Sequence, residues 1–181
     1  MRGVFTTDTV VMVRPLGFGY NEETARDNEF QNCPKTTAEE INLKARQEFQ
    51  ALVDALQGAG ITILILEKPS VDSPPMPDAV FPNNWFSSAR DGTLLTYPMS
   101  TSNRRADIRI QDLNNLLDQN GFLVQKVLEI DPSMERDKFL EGTGALVMDH
   151  KLGTVYVARS KRCHPEVFNT FMHLHPTLEG M

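Results

Sequence analysis

Apolar residues recur along the chain in two rhythms, short β-branched runs and longer helical stripes. Residues 10–13 are a run of Val and Met, which reads as a buried strand. Residues 15–37 are polar and rich in turn formers and predict one long loop; loops of that length in compact domains are often functional. Thr37-Ala38-Glu39-Glu40 then has capping-box spacing, with Thr37 as cap and Glu40 reaching back. Behind it Ile41, Ala45, Phe49, Leu52, Val53 and Leu56 repeat at helical intervals. Gly58 and Gly60 stop this helix, and residues 61–66 form the next buried strand.

A proline-rich stretch follows (Pro69, Pro74, Pro75, Pro77). Residues 79–86 and 93–97 read as a hairpin turning at Asp91-Gly92. Ile108, Leu113, Leu116 and Leu117 mark a second helix, which stops at Asn120-Gly121 before a strand over 122–128. The order then repeats. Residues 145–148 and 155–158 form a second hairpin, turning between Lys151 and Gly153. Pro165 opens a third helix with Val167, Phe168, Phe171 and Met172 on one side. The register is countable: Gly92-Thr93-Leu94-Leu95 corresponds to Gly153-Thr154-Val155-Tyr156, 61 residues later, and the helix-ending Gly60 and Gly121 also differ by 61. Two landmarks sharing one period predict a repeating α/β unit. The next such glycine and strand fall just past Met181, so the expectation is a third helix with no strand to return to.

Composition narrows the picture. The 181 residues are 40% hydrophobic and 23% charged, enough apolar material for a core. A formal net charge of −6 argues against nucleic acid or an anionic membrane as partner, since phosphate contacts need clustered Lys and Arg. No apolar run approaches the roughly 20 residues of a membrane span. Thr6, Thr7, Asp8 and Thr9 interrupt any apolar stretch near the N-terminus, which argues against a signal peptide. Cys33 and Cys163 are isolated thiols and fit a reducing compartment, so the expected location is the cytoplasm.

Candidate chemistry sits at matching places in the repeat. Asp78, Asn83 and Asn84 lie beside the first hairpin, and Glu141 lies between Leu140 and Gly142 on the way into the second. A carboxylate buried among apolar residues is costly unless paired or used, which makes Asp78 and Glu141 candidates for a site. The same spacing also suits Asp78 as a turn cap and Asn83-Asn84 as partners of loop backbone. Arg104, Arg105 and Arg162 each follow the second strand of a hairpin; they suit bidentate grip on a carboxylate, or equally a solvated helix start. Cys163-His164 are adjacent, but adjacency is not the geometry of a nucleophile and its base. His173 and His175 lie two apart on a helical stretch and diverge, so no metal site is expected there. His150 lies beside a turn, and Cys33 in the long loop has no nearby His.

Several motifs resemble amidinotransferase-related proteins. They are Phe18-Gly19-Tyr20-Asn21-Glu22-Glu23-Thr24, Pro77-Asp78 through Phe81-Pro82-Asn83-Asn84-Trp85, Tyr97-Pro98-Met99 with Arg104-Arg105, and Glu141-Gly142-Thr143-Gly144. The likeness is nearest to the citrulline-utilisation hydrolases, relatives of arginine deiminase and dimethylarginine dimethylaminohydrolase. It implies the pentein fold, an α/β propeller of five ββαβ modules, of which this chain would hold about three (1–66, 67–130 and 131–181). It implies a hydrolase without cofactor or metal, in which a Cys attacks the ureido or guanidino carbon and a His protonates the departing nitrogen. By position Asp78 resembles the substrate-binding Asp, Asn84 sits where many relatives have a second acid, and Glu141 matches the carboxylate that orients the catalytic His. Arg162, with Arg104 or Arg105, matches the arginines that hold the amino-acid carboxylate of a citrulline-like or arginine-like ligand. The family's Cys and His fall beyond Met181, so the expectation is a chain that binds without turnover when alone. Asp78, Asn84 and Glu141 are expected at one concave end with the arginines at its rim. The alternatives are a non-catalytic amino-acid-binding module and a partner-dependent fragment whose open propeller edge admits a homo-oligomer.

Overall fold

A computed structural model describes residues 6–15, 17–25, 28, 31–33, 35–70, 73–130 and 137–181. Parts of the long loop and of the N-terminal segment read above lie outside these residues. Along the chain the elements are β1 (Thr9–Val13), α1 (Glu22–Ala25), α2 (Ala38–Gly58), β2 (Thr62–Leu66), a 3-10 turn (Pro82–Asn84), β3 (Phe86–Ser88) and β4 (Thr93–Thr96). There follow α3 (Ser102–Arg105), α4 (Ile110–Gln119), β5 (Lys126–Glu129), α5 (Gly142–Ala145), β6 (Leu146–Asp149), β7 (Thr154–Val157), α6 (Pro165–Leu174) and β8 (Glu179–Gly180). The fold is mixed α/β, and its sheets are open.

These elements gather into two compact units. One takes in Thr7–Pro82 with Arg109–Asn120. Its β1 and β2 run parallel, Thr9 opposite Thr62 and Val13 opposite Leu66, with α2 and α4 against β2. The capping box forms as its spacing predicts: Thr37 Oγ1 accepts from Glu40 N, and the Glu40 carboxylate accepts from Thr37 N. Those bonds lower the Glu40 carboxyl below its ordinary range, the backbone one first. Phe49 and Val53 face the core, but Leu52, read as part of the same stripe, is half exposed. On a helix that buries a narrow face, the position beside Val53 already points outward. The predicted loop after β1 also contains a turn of helix, α1, which begins just after Asn21; the Asn21 side chain accepts from Glu23 N.

The other unit holds Asn83–Ile108 and Gly121–Met181 and contains two three-stranded sheets of one design. In each, an antiparallel hairpin is followed by a helical connection and a third strand parallel to the second: β3-β4-β5 and β6-β7-β8. The glycines that set the 61-residue register occupy equivalent places. Gly92 and Gly153 both take positive φ, 78° and 69°, just before the second hairpin strand. Each carbonyl accepts a backbone bond of 2.8 Å from the returning chain, Gln125 N and Glu179 N. Leu95, Tyr97, Leu140, Leu146, Val155, Val167 and Phe171 make one core cluster.

Three expectations are corrected here. The third helix does return to a strand: β8 pairs parallel with β7. Thr93 pairs with Lys126 but Thr154 with Glu179, spans of 33 and 25 residues, so the second connection is eight residues shorter than the first. Most of the saving precedes the helix, because nothing equivalent to α3 intervenes between β7 and α6. The first hairpin strand starts at Phe86 rather than residue 79; Pro77 and Pro82 offer no N–H to a ladder, and residues 77–84 close into turns instead. The strand after Gly121 starts at Lys126, with Phe122 and Leu123 exposed before it.

Candidate functional site

Glu141 is 2% exposed and stands at the head of α5. Three backbone bonds lock its segment: Leu140 N to Pro98 O at 3.2 Å, Glu141 N to Arg162 O at 3.1 Å and His164 N to Phe139 O at 2.7 Å. The carboxylate accepts a hydrogen bond from Ser100 N to Oε1, at 3.1 Å. Arg162 Nε lies 3.8 Å from Oε2, an ion pair longer than a hydrogen bond. The turn after it rests on the Asn83-Asn84 pair. A Cβ at Gly142 would stand 2.4 Å from Asn83 O, and one at Gly144 would touch the Asn84 amide at 3.4 Å. Thr143 Oγ1 accepts from Asn83 Nδ2, and Asn83 Nδ2 also reaches Asn84 Oδ1 at 3.2 Å. Gly142 is therefore a packing requirement, since only a residue without a side chain lets the backbone approach so closely, whereas the contact at Gly144 is an ordinary one.

The arginines divide. Arg162 reaches Glu141, as above. Arg105 Nε donates to Met99 O and a terminal nitrogen to Ser100 O, both at 3.0 Å, and the guanidinium lies over Phe139. It thus braces the segment whose next N–H holds Glu141. Arg104 is 4% exposed and its Nε pairs with Asp107 Oδ2 at 2.6 Å. Asn84, Glu141, Arg105 and Arg162 are brought together in this unit through their backbone and side-chain neighbours, while Arg104 is held by Asp107.

Asp78 belongs to the other unit and has its own network. It is 6% exposed, and Oδ2 accepts from Asn21 Nδ2 at 2.6 Å and Thr24 Oγ1 at 3.0 Å. Gln31 bonds both donors, its Nε2 to Thr24 Oγ1 and its Oε1 to Asn21 N. Asp78 O also accepts from Phe81 N, so the residue does close a turn, though its carboxylate is engaged elsewhere. Asn21, Thr24, Gln31, Ser100 and Asp107 were not picked out as site residues from sequence. Asn21 and Thr24 carried a signal: three positions apart at a helix start, they share a face.

Both thiols and three of the four imidazoles have defined surroundings. Cys163 is buried in the core cluster, and burial raises its thiol above the ordinary range. His164 caps α6, its Nδ1 accepting from Glu166 N. His173 and His175 bond the carbonyls of Asn169 and Phe171, and His175 stacks on Phe171. A thiolate nucleophile needs the opposite environment, one that lowers the thiol pKa. In native protein Cys33, which is exposed, is expected to react with a thiol reagent at the rate of a free cysteine. Cys163 is expected to react only on unfolding; two equally fast thiols would contradict its placement. Among the described residues no group of three or more His, Cys, Asp or Glu is placed to hold a metal, and no helix is long and apolar enough to cross a membrane.

Residues 14–176 match the family described as N,N dimethylarginine dimethylhydrolase, eukaryotic. The chain belongs to this family. Solved structures share the family's fold with it. A cysteine-to-serine mutant of DDAH from Pseudomonas aeruginosa, complexed with citrulline, has a TM-score of 0.64 at 17% identity, over 96% of this chain and 59% of that one. The N-terminal domain of ArgZ, an arginine dihydrolase from the ornithine-ammonia cycle in Cyanobacteria, bound to substrate, has 0.65 at 15% identity, over 96% and 56%. A dimethylarginine dimethylaminohydrolase adduct with S-methyl-L-thiocitrulline has 0.62 at 16%, over 95% and 59%. The chain thus spans less than two thirds of the length of these structures. No curated protein matches it in sequence.

Proposed function

We propose that this chain is the substrate-holding part of a C–N hydrolase acting on the ureido or guanidino group of citrulline or an arginine-like amino acid. The observation that carries the reading is the buried Glu141 turn seated on Asn83-Asn84, in a chain of the dimethylarginine hydrolase family. Glu141 offers a fixed carboxylate to orient a protonated base. Asp78, set by Asn21 and Thr24, offers a second to the substrate's N–H groups. Arg162 and Arg105 are the cations proposed for the amino-acid carboxylate, with Arg104 supporting them from its pair with Asp107. The nucleophilic cysteine and the histidine are not Cys163 and His164, whose surroundings are those of a core residue and a helix cap; they are supplied by chain outside these 181 residues. In the same reading the two like sheets are modules of a five-module pentein propeller, with the 61-residue register as support. A homo-oligomer through the open edge and a cytoplasmic location belong to this proposal as well.

Asn84 sets the substrate charge. A carboxamide both donates and accepts, which suits a neutral ureido group, whereas a buried cation calls for carboxylates. Calorimetric titration of the chain is expected to give tighter binding of citrulline than of arginine. Asn84→Asp is expected to move the ratio roughly tenfold toward arginine, the scale of one charge-assisted hydrogen bond. Arginine binding more tightly to the unsubstituted chain, or an unchanged ratio in the variant, would sink the assignment.

A further inference from the structure

The unit built on β1 and β2 contains a cavity that none of the proposed site residues lines. Its volume is about 510 Å³, and its walls include Gly17 from the chain after β1, Glu67 and Lys68 from the chain after β2, and Asn42 and Arg46 from α2. The two strands are parallel, so these walls follow their carboxyl ends, where open α/β sheets commonly bind ligands. The backbone wall is fixed in place. Gly17 N donates to Asn42 Oδ1 at 2.9 Å, and at its φ of 100° a Cβ would press within 3.0 Å of Pro75 Cα.

The charge in the cavity is unbalanced. Glu67 is already claimed by Arg14, whose Nε stands 3.0 and 2.8 Å from its two carboxylate oxygens. That bond raises the Arg14 pKa, and the Arg14 guanidinium lies over the Phe49 ring. Arg46 and Lys68 are left without a protein partner among the described residues. Two cations with no ion-pair partner among the described residues stand at one concavity of a chain whose net charge is −6. Arg109 and Lys44 of the same unit, by contrast, stand beside carboxylates, Asp112 and Glu48.

We propose that this cavity binds a compact organic dianion, a phosphate monoester or a dicarboxylate, held by the Arg46 guanidinium and the Lys68 ammonium. The guanidinium fork takes two oxygens side by side and the ammonium a third as a point charge. The volume falls within the range of small-molecule sites and leaves room for a carbon skeleton beside the charged group.

Calorimetry and thermal unfolding of the chain test this, with glycerol 3-phosphate and succinate as probes and acetate as a singly charged control at matched ionic strength. The expected result is saturable binding of at least one dianion with Kd of about 1 mM or tighter. Acetate is expected not to saturate. Arg46→Gln with Lys68→Gln should weaken the dianion roughly tenfold or more, and Arg46→Lys with Lys68→Arg should retain it. Among the described residues neither side chain takes part in an ion pair, so the variants are expected to fold; the charge-preserving pair checks this directly. Binding of glycerol 3-phosphate alone assigns the monoester, and of succinate alone the dicarboxylate. A dianion that binds no better than acetate, or equally well in the Gln variant, overturns the proposal.

Discussion

Asp107→Ala is expected to cost about 3–5 kcal/mol of stability, the range found when one partner of a buried ion pair is removed. The Arg104 and Asp107 side chains are 5% and 2% exposed, and Nε meets Oδ2 at 2.6 Å. Without the carboxylate, the guanidinium loses the counter-charge of Asp107 inside the protein. Removing both charges is a different experiment. Arg104→Met with Asp107→Leu keeps volume without leaving a lone charge and is expected to be near neutral. Denaturant unfolding of the three proteins reads both effects, and a loss below about 1 kcal/mol for Asp107→Ala would contradict the pairing.

Gly142→Ala is expected to be the more damaging of two alanine substitutions in the Glu-Gly-Thr-Gly turn. The obstacle is backbone: Asn83 O at 2.4 Å and Asn84 O at 3.1 Å from the new methyl. Neither can turn aside as a side chain would, so the cost should reach or pass the upper end of the ~1–3 kcal/mol typical of overpacking. At Gly144 the methyl would meet only the Asn84 amide, at ordinary contact distance. Comparable melting shifts for the two variants would contradict the contact of this turn with Asn83. Because Glu141 immediately precedes Gly142, citrulline binding should fall with stability in the first variant and persist in the second.

Local signals in the chain proved sound where the physics was local. Thr37 and Glu40 form their box, Pro165 opens its helix, and four glycines chosen by spacing, Gly60, Gly92, Gly121 and Gly153, all take the left-handed backbone that glycine favours. What spacing left open was which partner each side chain takes, some near in sequence and some far. Arg104 and Arg105 are neighbours with one composition and two fates, because Asp107 lies within reach of one and the Met99 and Ser100 carbonyls within reach of the other. The partners of Asp78 lie 57 and 54 residues away, in a segment read as plain loop. The strand β8 was missed because the 61-residue period was extended to a connection eight residues shorter than the one before it. The burial of Glu141 was legible because a carboxylate between Leu140 and two glycines has few inexpensive explanations.

The uneven length of the two parallel connections bears on time as well as on shape. Each hairpin has the shorter search, since Phe86 and Thr96 or Leu146 and Val157 have only ten or so residues to bring together, the span of a microsecond event. The third strand of each sheet must be recruited across 33 residues in one and 25 in the other. By loop-closure entropy the longer search costs only about 0.2 kcal/mol more, too little to rank the sheets. Payoff differs far more than cost, because β5 gains four paired residues on arrival and β8 two. Among these paired residues the sheet with the longer route therefore holds its last strand by more ladder positions.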